Sequence, residues 1–112
     1  MANTIKQAEV VKKSIGTERS RYLCHTDNLM MVVIDFCDGP HSEPDPPHHH
    51  PHEQISYIVE GEIMVFIDGT PSQLGPGDMF TIPPNIPHAI RLLTDSARLV
   101  DTFTPLRDDF LG

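Results

Sequence analysis

Residues 46–54 read PPHHHPHEQ, a stretch that holds four of the seven histidines of the chain. Imidazole nitrogens are common ligands of zinc, nickel and iron. Because side chains two residues apart on a strand share a face, His48 and His50 are predicted to point the same way and His49 the opposite way, toward solvent. The proline that follows them is expected to bend the chain, so the direction of His52 stays open.

Two further residues could complete a metal site with this histidine pair. Gln54 opens the next predicted strand, and its side chain can turn back toward His48 and His50. His88 begins another predicted strand after the proline-stiffened corner PPNIP. Three imidazoles and an amide oxygen suit one divalent ion with open positions, and nickel, zinc, iron and manganese all accept such a set. We therefore predict the ligands His48, His50, Gln54 and His88, without naming the metal.

Simpler interpretations of the histidines stand beside this one. A histidine-rich loop is often only solvated, and an exposed HxH pair can bind metal adventitiously. His25 and His41 are interpreted as ordinary polar residues of turns and loops.

The elements that must position these residues are predicted to be short strands. The chain has 112 residues, the size of one domain, and we assign residues 1–112 to a single domain. Its 11 prolines and 7 glycines argue against long helices. Residues 21–36 and 97–105 are rich in apolar and β-branched side chains, and residues 54–70 are predicted to form a β-meander. About eight to ten strands are expected, in an all-β barrel or double-sheet sandwich.

The charge and the sequence pattern disfavour several kinds of partner. A formal charge of −8 disfavours nucleic-acid binding, and the sequence has no polybasic patch for anionic lipid. No stretch reaches a membrane-spanning length, and the N-terminal residues lack an apolar signal region, so we expect a cytoplasmic protein without a membrane partner.

Cys24 and Cys37 belong to no CxxC motif and are expected to be reduced.

The spacing of the first histidine cluster resembles the first motif of the cupin superfamily. That motif reads HxH, three or four residues, an acid or sometimes Gln, six residues, then Gly, and His48, His50, Gln54 and Gly61 fit it. Most members have Glu where this chain has Gln. A neutral ligand set leaves the full charge of a divalent ion uncompensated, which favours Lewis-acid work on anionic oxygens over oxygen activation.

The second cupin motif is similar to PGDMFTIPPNIPH, which ends at His88. Asn85 replaces the usual glycine, but Asn tolerates positive φ, so the turn can survive. Together the two motifs cover residues 48–88. The resemblance implies a cupin-type small β-barrel, also described as a double-stranded β-helix or jelly roll.

A closer resemblance extends over most of the chain. The segments NLMMV, HPHEQISYIVEGE and DTFTPLRDDFL are similar to the KdgF-type cupins of pectin and alginate breakdown, which convert 4,5-unsaturated uronates to open-chain keto acids. The resemblance implies a sugar-acid substrate, a homodimer, and a pocket lined by Asp101, Phe103 and Arg107 beside the metal.

The resemblance also implies roles for these three residues. Asp101 would move a proton, Arg107 would bind the substrate carboxylate and Phe103 would shape the pocket. Each residue also has an ordinary interpretation. Asp101 would be a solvated strand residue, Arg107 a surface ion-pair partner and Phe103 a core aromatic. Two other functions remain open: a metal-dependent cupin oxidoreductase such as a dioxygenase, and a sugar-acid-binding protein without catalysis.

Overall fold

The computed structural model of the chain describes residues 3–111 and is almost entirely built of strands. The strands are β1 (Lys13–Ser14), β2 (Arg19–His25), β3 (Met30–Phe36), β4 (Glu53–Glu60), β5 (Ile63–Ile67), β6 (Thr70–Leu74), β7 (Met79–Ile82), β8 (His88–Leu92) and β9 (Ala97–Thr104). A 3-10 turn covers Gln7–Glu9, and the short helix α1 covers Asp108–Leu111. The predicted all-β class is confirmed. Within residues 3–111, no helix has the length and hydrophobicity needed to cross a bilayer.

The strands form two antiparallel sheets, as expected for a jelly roll. The larger sheet has the order β1-β2-β3-β9-β4-β7, and the smaller has the order β6-β5-β8. The last long strand, β9, lies between β3 and β4 in the larger sheet, so distant parts of the sequence become neighbours. This arrangement places the β9 residues of the predicted pocket beside the start of β4.

The predicted β-meander over residues 54–70 is wrong at its first turn. β4 pairs with β7 and β9, whereas β5 pairs with β6 and β8, so the two consecutive strands lie in different sheets. Gly61 lies between them with a φ of 82°, and a Cβ there would lie 2.7 Å from the Cα of Ala97. The glycine therefore permits the close crossing between sheets, which the alternation within either strand does not reveal.

A shared apolar core lies between the sheets. Alternate residues of β4 and β9 are buried, as the period of two requires. The main buried cluster consists of Phe36, Ile58, Ile63, Val65, Phe80, Ile82, Leu92, Ala97 and Leu99. Near the other end of β9, Met30, Val32 and Phe103 form a second cluster. Gln54, Ser56 and Asp101 are buried polar exceptions, and they mark where the interior changes from core to site.

An ion pair between β3 and β9 makes stability depend on pH. Arg98 donates from Nε and Nη2 to the Asp35 carboxylate at 2.6 and 2.9 Å. These hydrogen bonds hold the pKa of Asp35 below its ordinary value. Because the folded-state pKa is the lower one, the pair stabilises the fold above the unfolded-state pKa, and this contribution is lost as the pH falls through the folded-state pKa.

We therefore expect wild type to lose more stability than Arg98→Met on acidification. For a pair whose side chains are 30% and 24% exposed, the difference should be about 0.5–1 kcal/mol between roughly pH 7 and pH 3. Urea unfolding at the two pH values measures it. If wild type and variant lost the same free energy of unfolding on acidification, the Asp35–Arg98 pair would not be the source of the pH dependence.

Candidate metal centre

The two histidines of the HxH pair reach the site from the segment before β4, not from a regular strand. His48 forms an isolated bridge with His88, in which each backbone N–H donates to the other's carbonyl, at 3.0 and 2.9 Å. The bridge sets this segment beside β8. His49 is exposed, as predicted. The side chains alternate as predicted, although the predicted strand is absent here, because an extended chain alternates its side chains even outside a sheet.

Three imidazoles converge at this place. One ring nitrogen each of His48, His50 and His88 lies within 4.8 Å of the others. His50 and His88 are buried, whereas His48 is exposed. These three side chains are positioned to bind one metal ion, in agreement with the sequence prediction.

Hydrogen bonds leave one nitrogen of each buried ring free for a metal. Nδ1 of His50 donates to the carbonyl of His52 at 3.0 Å, and Nδ1 of His88 donates to the carbonyl of Ile86 at 2.9 Å. Each Nε2 therefore carries the lone pair. Across residues 3–111, Nε2 of His88 finds no hydrogen-bond partner although it is buried. A buried acceptor without a donor fits a bound cation.

The amide of Gln54 is oriented toward the same point. Its nitrogen donates to Oγ of Ser56 at 2.9 Å, so its oxygen faces Nε2 of His50, at 3.1 Å. Two acceptors at this distance need a proton or a cation between them. Burial, followed by nearby cations, lowers the pKa of His50 and so disfavours the proton. The geometry fits Gln54 as a fourth ligand, and this role stays a prediction.

Asp101 is coupled to this amide through Ser56. The two residues are cross-strand partners of β4 and β9, and the Ser56 hydroxyl donates to Oδ1 of Asp101 at 2.5 Å. Burial raises the pKa of Asp101 to about 6, against the lowering effect of the hydroxyl. A carboxyl group with such a pKa can both accept and donate a proton near neutral pH.

One cavity joins the predicted ligands to the predicted pocket residues. Its volume is about 210 Å³. Residues from both groups line it: His48, Gln54, His88, Asp101, Phe103 and Arg107. His50 is not among the lining residues, but its ring packs edge-on against the Phe103 ring, with 5.6 Å between centroids. The structure thus brings together every residue that the sequence assigned to the site, while their chemical roles stay predictions.

Arg107 was predicted either to bind a substrate carboxylate or to form an ordinary ion pair. In the structure it lines the cavity and also forms an ion pair. Its Nε and Nη2 donate to the Asp109 carboxylate at 3.2 and 2.7 Å. This bond holds the pKa of Asp109 below its ordinary value. One edge of the guanidinium is therefore occupied, and the edge that includes Nη1 remains for a ligand.

Ser56 is a site residue that was not predicted from the sequence. A signal for it existed, because Ser56 is two residues beyond Gln54 and is a small polar side chain on an inward-facing row of β4. His52, whose direction was left open, is half-buried and orients His50 through its backbone carbonyl.

Ion pairs hold the loop over residues 37–47 against the barrel. Arg19 donates from Nε to Asp38 at 3.0 Å and from Nη1 to Asp45 at 2.8 Å. His41, interpreted as an ordinary loop residue, also contacts Asp38, at 3.0 Å. Arg19 lines the cavity, but its guanidinium already binds the carboxylates of Asp38 and Asp45.

Comparison with known proteins agrees with the fold. The Cupin domain family Cupin_2 matches residues 36–103. The pectin degradation protein KdgF of Dickeya dadantii (strain 3937) is 35% identical over 94 residues, which are 83% of each chain. Quercetin 2,3-dioxygenase of Bacillus subtilis (strain 168) is 32% identical over 82 residues, 72% of this chain but only 24% of the dioxygenase. The structure of KdgF from Halomonas sp. aligns with a TM-score of 0.87 and 30% identity, covering 98% of this chain and 99% of that one. With its paired motifs, jelly-roll sheets and converging histidines, the chain belongs to the cupin family.

Proposed function

We propose that this cupin is a metal-dependent enzyme that opens 4,5-unsaturated monouronates, such as unsaturated galacturonate, to keto acids in pectin or alginate breakdown. The observation that carries the proposal is the shared cavity, where a metal-competent histidine cluster, a buried carboxyl group and an arginine meet. Similarity to a pectin degradation protein supports the choice of substrate.

The proposed reaction is an isomerisation that needs no oxidant. In the substrate, the ring oxygen and the C6 carboxylate are both attached to C5 of the C4–C5 double bond. Removing the anomeric hydroxyl proton breaks the bond between C1 and the ring oxygen, which leaves an aldehyde at C1 and an enolate at C5. Protonation at C4 then gives the keto acid. The reaction thus requires a group that moves one proton and a positive environment for developing oxyanions.

Asp101 is the proposed proton carrier. It is buried, its pKa is raised to about 6, and Ser56 holds one of its oxygens in place. It would accept the anomeric proton as a carboxylate and return a proton to C4. A divalent ion held by His48, His50, Gln54 and His88 would supply Lewis-acid stabilisation of substrate oxygens.

Arg107 and Phe103 would select the substrate. The free edge of the Arg107 guanidinium would bind the C6 carboxylate, and the Phe103 ring forms an apolar wall of the same cavity. A cavity of about 210 Å³ lies below the roughly 300–1,000 Å³ usual for drug-sized ligands, so it suits one sugar ring.

The second candidate is a metal-dependent dioxygenase, which the similarity to quercetin 2,3-dioxygenase favours. The neutral Gln54 argues against it, because an anionic ligand helps a metal reach a higher oxidation state. Oxygen consumption by the iron-loaded protein with quercetin as the organic substrate separates the two, and we expect none above a protein-free control with the same iron and quercetin.

Product identification tests the proposed function directly. Metal-loaded protein is mixed with unsaturated galacturonate and followed by proton NMR. We expect the C4 vinyl signal to disappear and methylene and aldehyde-hydrate signals to appear, faster than without protein. If the protein bound unsaturated galacturonate but did not speed its conversion, the enzymatic proposal would be wrong and the protein would be a non-catalytic sugar-acid-binding protein.

We also propose a homodimer, formed through the outer face of the larger sheet. Neighbouring side chains there are exposed by 47% at Met31, 58% at Ile55, 44% at Tyr57 and 65% at Met79. Register places Ile55 and Met31 on either side of Thr102, so the patch is continuous across strands. A second copy of the same apolar face would cover it without burying unpaired charge.

The dimer predicts that Ile55→Glu yields monomers in sedimentation velocity, because association would bury the new carboxylate in an apolar interface without a partner. Thr70→Glu, on the smaller sheet, is the matched control and should leave the dimer intact. A monomeric wild type would contradict the proposal.

A further inference from the structure

Arg21 is a buried arginine that the metal site and the ion pairs leave unexplained. It is only 9% exposed and lies opposite Ile34 of β3. Over the described residues, its Nε has no hydrogen-bond partner and no carboxylate lies within ion-pair distance of its guanidinium. Burying this N–H without a hydrogen-bond partner is costly, so a compensating role of the side chain is expected.

The guanidinium of Arg21 is stacked on a residue of the substrate cavity. Its Cζ lies 3.9 Å from the centroid of the Phe110 ring, and Cζ of Arg107 lies 4.1 Å from the same centroid. Phe110 lines the cavity and packs edge-on against Phe103, with centroids 5.9 Å apart. One aromatic ring therefore connects Arg21 to the arginine and the aromatic wall of the proposed substrate site.

Arg21 also changes the charge of this cluster. Arg107 and Asp109 form a neutral pair on their own. With Arg21 the three side chains carry one net positive charge, in a chain whose formal charge is −8. A cluster with an excess cation can accept an incoming carboxylate, whereas a neutral pair would have to exchange one anion for another.

We propose that Arg21 is a positioning residue for the anionic substrate: through the Phe110 ring it holds Arg107 against the cavity, and it keeps the cluster positive. Arg21 itself does not touch the ligand. The inference depends on the proposed function for the identity of the substrate, but not for the presence of an anion-binding cluster.

The test compares Arg21→Met and Arg21→Lys in the metal-loaded protein. Calorimetry measures the Kd of galacturonate, a saturated and stable probe, and kinetics measures KM and kcat for unsaturated galacturonate. Arg21→Met should raise both Kd and KM about fivefold or more, with kcat within about twofold, because a desolvated cation–π contact and one charge are lost. Arg21→Lys should recover part of the affinity. Lys13→Met removes one positive charge from the strand beside Arg21 and should behave as wild type.

The outcomes separate this inference from the proposed function. Weaker galacturonate binding in Arg21→Met supports the inference even if wild type converts no unsaturated substrate. Equal affinity in wild type and Arg21→Met overturns it, even if the enzyme is active. A loss of kcat with unchanged KM, or a wild type without affinity for either uronate, also overturns it. If Arg21→Met fails to fold, Arg21→Lys decides by the same split between KM and kcat.

Discussion

His50→Ala is expected to remove the metal and to lower kcat/KM by at least about a hundredfold. The buried His50 ring places one nitrogen 3.1 Å from the Gln54 oxygen, and its other nitrogen is fixed by a backbone carbonyl. Losing a metal ligand should cost more than the roughly 10–100-fold typical of losing a residue that only supports one. Metal content per chain by mass spectrometry and the rate on unsaturated galacturonate measure the two effects.

His49→Ala is the matched control for this experiment. His49 is the neighbouring residue, has the same side chain and faces solvent. It should retain both metal and rate. If His50→Ala kept one metal per chain, or if His49→Ala lost it, the assignment of the ligands would be wrong.

Asp101→Asn is expected to lower kcat by about 10²–10⁴-fold, the usual contribution of a proton-transferring group. Asn keeps the size of the side chain and an acceptor for the Ser56 hydroxyl, but it cannot take up a proton at neutral pH. Metal content should not change, because Asn keeps the acceptor for the Ser56 hydroxyl, which in turn accepts from the Gln54 amide, so the orientation of Gln54 is preserved. Steady-state kinetics and metal analysis on the same preparation separate catalysis from metal loss.

Asp35→Asn controls for the loss of a carboxyl group. Asp35 lies on the neighbouring strand β3 and forms an ion pair with Arg98. Its variant should keep kcat within about twofold, since it touches neither cavity nor ligand. A similar fall in both variants would assign the Asp101 effect to general instability.

Much of the site was predictable because its signals are local. The spacing from His48 to Gln54 and the corner before His88 place the ligands just before or at the starts of β4 and β8. Asn85 was expected to tolerate positive φ, and its φ is 63°. Its backbone N–H also donates to the His50 carbonyl at 2.7 Å, which ties the corner to the histidine segment.

The remaining features depend on contacts between distant parts of the chain. Alternation predicts which side of β4 faces inward, but not that the chain changes sheets at Gly61. From the sequence, Arg21 is an ordinary strand residue, and only the tertiary structure shows that Phe110 of α1 stacks on its guanidinium. Likewise, the sequence does not show that Asp109 occupies one edge of Arg107. Such pairings are set by tertiary packing, and no local period encodes them.

The most direct test of the account is the decay of the ultraviolet absorbance of unsaturated galacturonate, whose conjugated enoate is lost on ring opening. It is recorded with protein of verified metal content, with the metal-free protein and with buffer containing the same metal. We predict that only the metal-loaded protein accelerates the decay, and that His50→Ala and Asp101→Asn return it nearly to the spontaneous rate. A decay no faster with metal-loaded wild type than in buffer would contradict the proposed enzymatic function.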